Sequence, residues 1–169
     1  MDEIILSCIS STEERLGELA HYVIESKGKR IRPLVSLLSG GATGRLSEEH
    51  CHLAAASEII HLATMIHDDV LDEALVRRGR ATVSALWGNQ VAVIFGDHLL
   101  SQAFGILCRF HGNEVLPRMI RMTREVCEAE IYQLRRRHDI SVTEDEYRDA
   151  VSMKTASLFS TCCRLSALL

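Results

Sequence analysis

The sequence predicts an all-α chain, and three observations carry that prediction. Only two prolines, Pro33 and Pro117, interrupt 169 residues, aromatic residues make up just 5%, and no segment sustains the period-two alternation of a half-buried strand. With 47% hydrophobic and 25% charged residues, the chain is long enough for one domain with a real core, spanning residues 1–169. Ser10-Ser11-Thr12-Glu13-Glu14 offers capping chemistry for a helix running to about Lys27, which Gly28 stops. A second helix follows Pro33 and ends at Gly40-Gly41. Ser47-Glu48-Glu49 caps a third that runs unbroken to Asp72 or Glu73. Gly79 marks a short loop, Thr82 begins a brief helix ending at Trp87-Gly88, and an apolar helix spans Asn89 to Arg109. His111-Gly112-Asn113 breaks the chain before an amphipathic helix from Glu114 to about Arg137, with Pro117 in its first turn. Ser141-Val142-Thr143 and Glu144-Asp145-Glu146 start a last helix that reaches Leu169.

Charge and cysteine usage narrow the function classes. A net charge of -4 and a pI near 6.1 give no general attraction to nucleic acid or to an anionic membrane, so phosphate binding must come from local basic clusters. Six cysteines without paired CxxC spacing, and an acidic Met1-Asp2-Glu3 start, fit a reducing cytoplasm. Cys162-Cys163 reads as two packed small residues pointing to different faces of a helix. No uninterrupted apolar run reaches the ~20 residues of a membrane span.

The chemistry concentrates between His61 and Arg80, where HLATMIHDDVLDEALVRRGR carries Asp68, Asp69 and Asp72 followed by Arg77, Arg78 and Arg80. At 100° per residue, His61, Asp68 and Asp72 fall within a sector of about 40° on one helix face, with the two carboxylates one turn apart. Like charges at that spacing need a cation between them, and oxygen ligands that leave room for phosphate oxygens and water suit Mg²⁺. The neighbours Ile59, Ile60, Leu62, Ala63, Met65, Ile66, Val70 and Leu71 make the helix apolar nearly all round, so its carboxylates require partners. They also meet the negative end of the helix dipole, which a bound cation would offset. Two basic clusters, Gly28-Lys29-Arg30-Ile31-Arg32-Pro33 and Arg77-Arg78, add planar and point-charge phosphate ligands. Together these are what two diphosphate substrates would need, one held through metal and one directly.

In order along the chain, GKRIRP, EIIHLATMIHDDVLDEALVRRGRATV, GDHLL from Gly96, AEIYQL from Ala129 and MKTASLF from Met153 resemble the motifs of the trans-polyprenyl diphosphate synthases. The resemblance runs from about Leu16 to the last residue and implies an antiparallel helical bundle of the isoprenoid synthase type. It implies head-to-tail condensation of isopentenyl diphosphate with an allylic diphosphate to an all-trans polyprenyl diphosphate. Asp68 and Asp72 would then ligate Mg²⁺ bound to the allylic diphosphate, with Asp69 assisting. Lys29, Arg32, His61 and Arg78 would hold isopentenyl diphosphate. Arg77, Lys154 and Thr155 would meet the allylic diphosphate, and Gln133 would face the same cavity. Asp68, Asp72, Arg77 and Lys154 would carry the catalysis, through charge stabilisation of the leaving diphosphate. Ala63, five positions before the first aspartate, and Thr64 beside it would set product length, small residues there matching the longer-product pattern. The resemblance further implies a homodimer formed through the helices of residues 89–137.

Members of that family are nearly twice this long and carry a second aspartate-rich motif in their C-terminal half, whereas here no acidic residue follows Thr155. The expectation is therefore the N-terminal portion of a synthase, inactive alone. A fragment is preferred over a truncated gene product or a subunit completed by a second polypeptide, and the alternative function is that of a non-catalytic partner subunit of a heteromeric polyprenyl synthase. A different enzyme class, a His-Asp metal-dependent phosphohydrolase built on His67-Asp68 with His52 and His61, would leave both basic clusters unexplained.

Overall fold

The computed structural model describes residues 2–9, 14–25, 28–110 and 114–169, and nine α-helices account for most of them. They are α1 (Asp2–Ile9), α2 (Glu14–Glu25), α3 (Ile31–Thr43), α4 (Glu48–Leu71), α5 (Val83–Trp87), α6 (Asn89–Leu107), α7 (Val115–Arg135), α8 (Glu144–Val151) and α9 (Ser157–Leu168). The expected cap at Ser10 to Glu13, the helix end at Lys27 and the break at His111-Gly112-Asn113 lie outside the described residues.

Helix α4 is the axis of the molecule. Leu53, Ala54, Ala55, Ala56, Ile59 and Ala63 are 0% exposed, and α1, α3, α5, α6 and α9 all pack around it. Its N-terminus is tied by Ser47, whose N–H donates to His50 Nδ1 at 3.1 Å. The other ring nitrogen of His50 lies 3.1 Å from the Ser166 carbonyl on α9. Gly40 makes this junction possible, because a Cβ there would overlap the His50 ring. That is why Gly40 and Gly41 do not end α3, as expected, but sit inside it. The start of α3 also differs. It begins at Ile31, ahead of Pro33, because proline in a first turn sacrifices no hydrogen bond.

Three further features go beyond the sequence expectation. Helix α1 buries Ile5 and Ile9 in the core. The loop around Gly79 is an antiparallel hairpin of β1 (Val76–Arg77) and β2 (Arg80–Ala81), pairing Val76 with Ala81 and Arg77 with Arg80. Its two central residues, Arg78 (φ 51°) and Gly79 (φ 77°), both lie in the left-handed region that a tight hairpin demands. Thr82 then caps α5 by accepting from Ala85 N–H at 3.2 Å and donates to the Ala74 carbonyl at 2.6 Å, closing the hairpin against the end of α4. Finally, the last helix runs on from α8 to α9 through a π-helical turn over Ser152–Ala156. Helix α8 starts where the sequence predicts, with Thr143 and Glu146 forming a capping box.

Helix α6, at 19 residues, is long and apolar enough by length and composition to cross a membrane, although its sequence is not one unbroken apolar run. It lies along α4 as a core helix, burying Phe95, Leu99, Ala103 and Leu107. Gly96 allows the close approach, since a Cβ there would overlap the His67 ring.

Candidate diphosphate and metal site

The C-terminal end of α4 delivers its three aspartates to two different sides. Asp68 and Asp72 face the π turn and the end of α7. Lys154 Nζ lies 3.9 Å from Asp68 Oδ2, and Arg137 Nη2 lies 3.9 Å from Asp72 Oδ1. Lys154 is held more closely by α7, at 2.5 Å from Glu130 Oε2 and 3.2 Å from Gln133 Oε1. Burial pushes the Asp68 carboxyl above its ordinary value, with Lys154 working in the opposite direction. Asp69, one residue and about 100° further round the helix, is buried and accepts from Arg77 Nε at 2.5 Å. Asp69 thus stands apart from Asp68 and Asp72, and Arg77 apart from Lys154. Asp69 anchors Arg77, and both line a separate cavity of about 290 Å³ with Tyr22, Met65, Arg80 and Val83.

Among the described residues, no three His, Cys, Asp or Glu side chains converge on one point. Asp68 and Asp72 nevertheless fit magnesium, which is commonly held by one or two carboxylates with the remaining positions filled by substrate phosphates and water. The cations now facing both carboxylates mark where positive charge is accommodated.

On the neighbouring face of α4, a cavity of about 340 Å³ collects Lys29, Arg30, Arg32, His61 and Arg78 beneath Phe159. The positive charge there is largely uncompensated. Arg30 is paired with buried Glu58 at 2.8 Å, but the buried Nε of Arg32 has no hydrogen-bond partner. The Arg32 guanidinium stacks over Phe159, 4.7 Å from its ring centre, and burial lowers its proton affinity. Burial first, and then Arg32, Arg78, Arg77 and Arg30, drive His61 down to about 3, so the imidazole is neutral at physiological pH. Gly28 lies close to this cavity, where a Cβ would stand 2.7 Å from Arg78 Nη1. Such a cavity suits a polyanion that accepts several hydrogen bonds.

Other expected residues fall less centrally. Thr155 is exposed on the π turn. Ala63 packs into the core, while Thr64, one turn before Asp68, is partly exposed and donates to the His61 carbonyl at 2.9 Å. The histidines of the phosphohydrolase alternative do not assemble. His67 Nε2 lies 3.1 Å from the Val93 carbonyl of α6, and His52 sits near the other end of α4 against Arg109. Cys162 is a packed core residue, its thiol pushed up to about 12 by burial.

Sequence reasoning missed Glu58, Glu130, Arg137 and Phe159. Glu58 and Glu130 had a local signal, since each stands three residues before a chosen candidate, His61 or Gln133, on the same helix face. Arg137 and Phe159 had none, being brought in by tertiary packing.

Known proteins are similar to this chain in fold and sequence. Residues 13–169 match the family described as polyprenyl synthetase. The all-trans-nonaprenyl-diphosphate synthase (geranyl-diphosphate specific) of Rhodobacter capsulatus is 39% identical over 170 residues, covering 100% of this chain and 52% of that protein. Heptaprenyl diphosphate synthase component 2 of Geobacillus stearothermophilus is 33% identical over 168 residues, covering 99% and 52%. Among solved structures, the polyprenyl synthase of Caulobacter crescentus complexed with calcium and isoprenyl diphosphate superposes with a TM-score of 0.94 at 32% identity, covering 99% of this chain and 51% of that one. The chain thus spans about half the length of the curated relatives it matches. With motifs, fold and family match in agreement over nearly its whole length, this chain belongs to the polyprenyl synthetase family.

Proposed function

We propose that these residues form one wall of a prenyltransferase site that condenses isopentenyl diphosphate with an allylic diphosphate into a long all-trans polyprenyl diphosphate. The observation that carries this reading is the division of charge along α4. Asp68 and Asp72 face the α7 and π-turn side, and a basic cavity with an unpartnered Arg32 Nε opens on the adjacent face. Asp68 and Asp72 would hold Mg²⁺, which when bound supplies positive charge to the allylic diphosphate as its C–O bond breaks. Lys154, with Thr155 and Gln133 beside it, would meet the same leaving group. Lys29, Arg32, Arg78 and neutral His61 would hold the second diphosphate, His61 as a hydrogen-bonding group and not as a cation. Asp69 orients Arg77, whose remaining donors are available to a diphosphate between the two cavities. Thr64 shares the carboxylate face and is favoured over buried Ala63 as the residue that limits chain length.

A second carboxylate cluster is assigned to polypeptide beyond Leu169 or to a partner chain, because no acidic residue follows Thr155. Similarity to a protein named component 2 supports the partner reading as a second possibility. A cytoplasmic homodimer formed through α6 and α7 completes the proposal, α6 having Val91, Val93 and Ile94 exposed. Turnover of radiolabelled isopentenyl diphosphate with several allylic primers and Mg²⁺, on this chain and on the full reading frame, tests it. Product is expected with the longer form. Absence of product with every primer would sink the assignment.

A further inference from the structure

We propose that Glu130 is a positioning residue for the carboxylate end of α4: it draws the Lys154 ammonium off Asp68, leaving Asp68 open to a divalent cation. The inference rests on the reading above that Asp68 binds metal. Lys154 Nζ stands 2.5 Å from Glu130 Oε2, 3.2 Å from Gln133 Oε1 and 3.9 Å from Asp68 Oδ2. Lys154 donates a hydrogen bond to Gln133 and makes its closest ion pair with Glu130, while its separation from Asp68 is too long for a hydrogen bond. Glu130, Lys154 and Asp68 side chains are only 16%, 28% and 25% exposed, so charges among them are screened less than on open surface.

The arrangement follows from local structure. Glu130 and Gln133 lie three residues apart on α7, on one face, and the π turn against that face presents Lys154. Were Glu130 neutral, Asp68 would be the carboxylate left beside Lys154, and the 3.9 Å gap would close. An incoming cation would then have to displace an ammonium from its own ligand. With Glu130 charged, Lys154 remains beside the metal position yet committed to α7, where it can turn to a phosphate oxygen.

Titration with Mn²⁺ alone, followed by the loss of the free-ion electron paramagnetic resonance signal, tests this without turnover. Glu130→Gln is expected to weaken Mn²⁺ binding about tenfold, the size of effect seen when groups that orient metal ligands are removed. Glu130→Asp, which keeps the charge, should recover most of that loss. Lys154→Gln should bind at least as tightly as the parent, and adding Glu130→Gln to it should change affinity by less than about twofold, because the competing ammonium is gone. Equal losses from Glu130→Gln in both backgrounds would overturn the proposal, since Glu130 would then act on the metal or the fold directly. So would unchanged affinity in the single variant. Asp68→Asn separates the premise from the inference: if it binds Mn²⁺ like the parent, the metal reading itself fails. If it loses Mn²⁺ while Glu130→Gln does not, only the positioning role falls.

Discussion

The acidic end of α4 and the basic cavity beside it resolve the same problem, partly buried charge, in opposite ways. Asp68, 25% exposed, faces Lys154 at 3.9 Å, close enough to lower the cost of burial and too far for a hydrogen bond, while Asp72, 55% exposed, faces Arg137 at the same distance. Among the described residues of the basic cavity, Arg30 is neutralised by Glu58 at 2.8 Å, and burial first, then the surrounding arginines, hold His61 neutral. A weakly paired carboxylate end can exchange its cations for a metal ion. An underpaired basic cavity gains from a polyanion without first breaking an ion pair. The contrast sets Asp69 apart from both, since it is closely paired with Arg77.

The sharpest test of that contrast sets Asp68→Asn against Asp69→Asn in the full-length enzyme. Loss of Asp68 should lower kcat by about 10³-fold, the scale of removing a group that stabilises transition-state charge. Asp69→Asn should cost less and show non-additivity with Arg77→Ala in a double-mutant cycle, because the two act as a unit. Equal, independent losses would return Asp69 to the metal set.

On the basic side, Glu58→Gln removes the buried carboxylate paired with Arg30 and should destabilise the fold by about 3 kcal/mol, measured by urea unfolding. Glu48→Gln, an exposed carboxylate at the far end of α4, should change stability by less than about 0.5 kcal/mol.

The His61 proton reports the potential of the cavity. Because its folded value is about 3 against an ordinary 6.5, the unfolded chain binds the proton more readily between those values. The folded state therefore keeps its full stability above about pH 6.5 and loses it progressively as pH falls toward 3. His61→Gln should flatten that part of the stability profile. Inorganic diphosphate should raise the His61 titration midpoint in NMR by neutralising the surrounding arginines, and an unmoved midpoint would break the link between cavity and anion.

A small effect is expected at the hairpin. Arg80 stacks over Tyr22 at 4.4 Å while Tyr22 OH donates to the Ala81 carbonyl at 2.7 Å. Arg80→Ala should cost about 0.5–1 kcal/mol in thermal unfolding, whereas Tyr22→Phe tests the hydrogen bond alone.

Much of the fold was legible because helices announce themselves locally. Ser47, Thr82 and Thr143 marked their helix starts, and the apolar periphery of α4 marked it as interior. Glycine was the main source of error. Gly40 read as a stop from its conformational freedom, yet it serves the contact with His50, and a close approach between helices has no local signature. The hairpin escaped because its strands are two residues each, too short for any alternation to appear. Helix α1 escaped because eight residues offer little periodicity.

By itself, the sequence determined that Asp68 and Asp72 share a helix face, that this helix is interior, and that cations stand close on either side of it along the chain. Helical periodicity and side-chain chemistry are local, and both can be read from spacing. Only the tertiary structure decided that Asp69 turns to Arg77, that Lys154 answers to Glu130 before Asp68, and that Arg137 reaches Asp72. Those partners are chosen by how α4, α7 and the π turn pack, and a difference of 100° around one helix, or of little more than 1 Å between two carboxylates, is invisible until the helices meet.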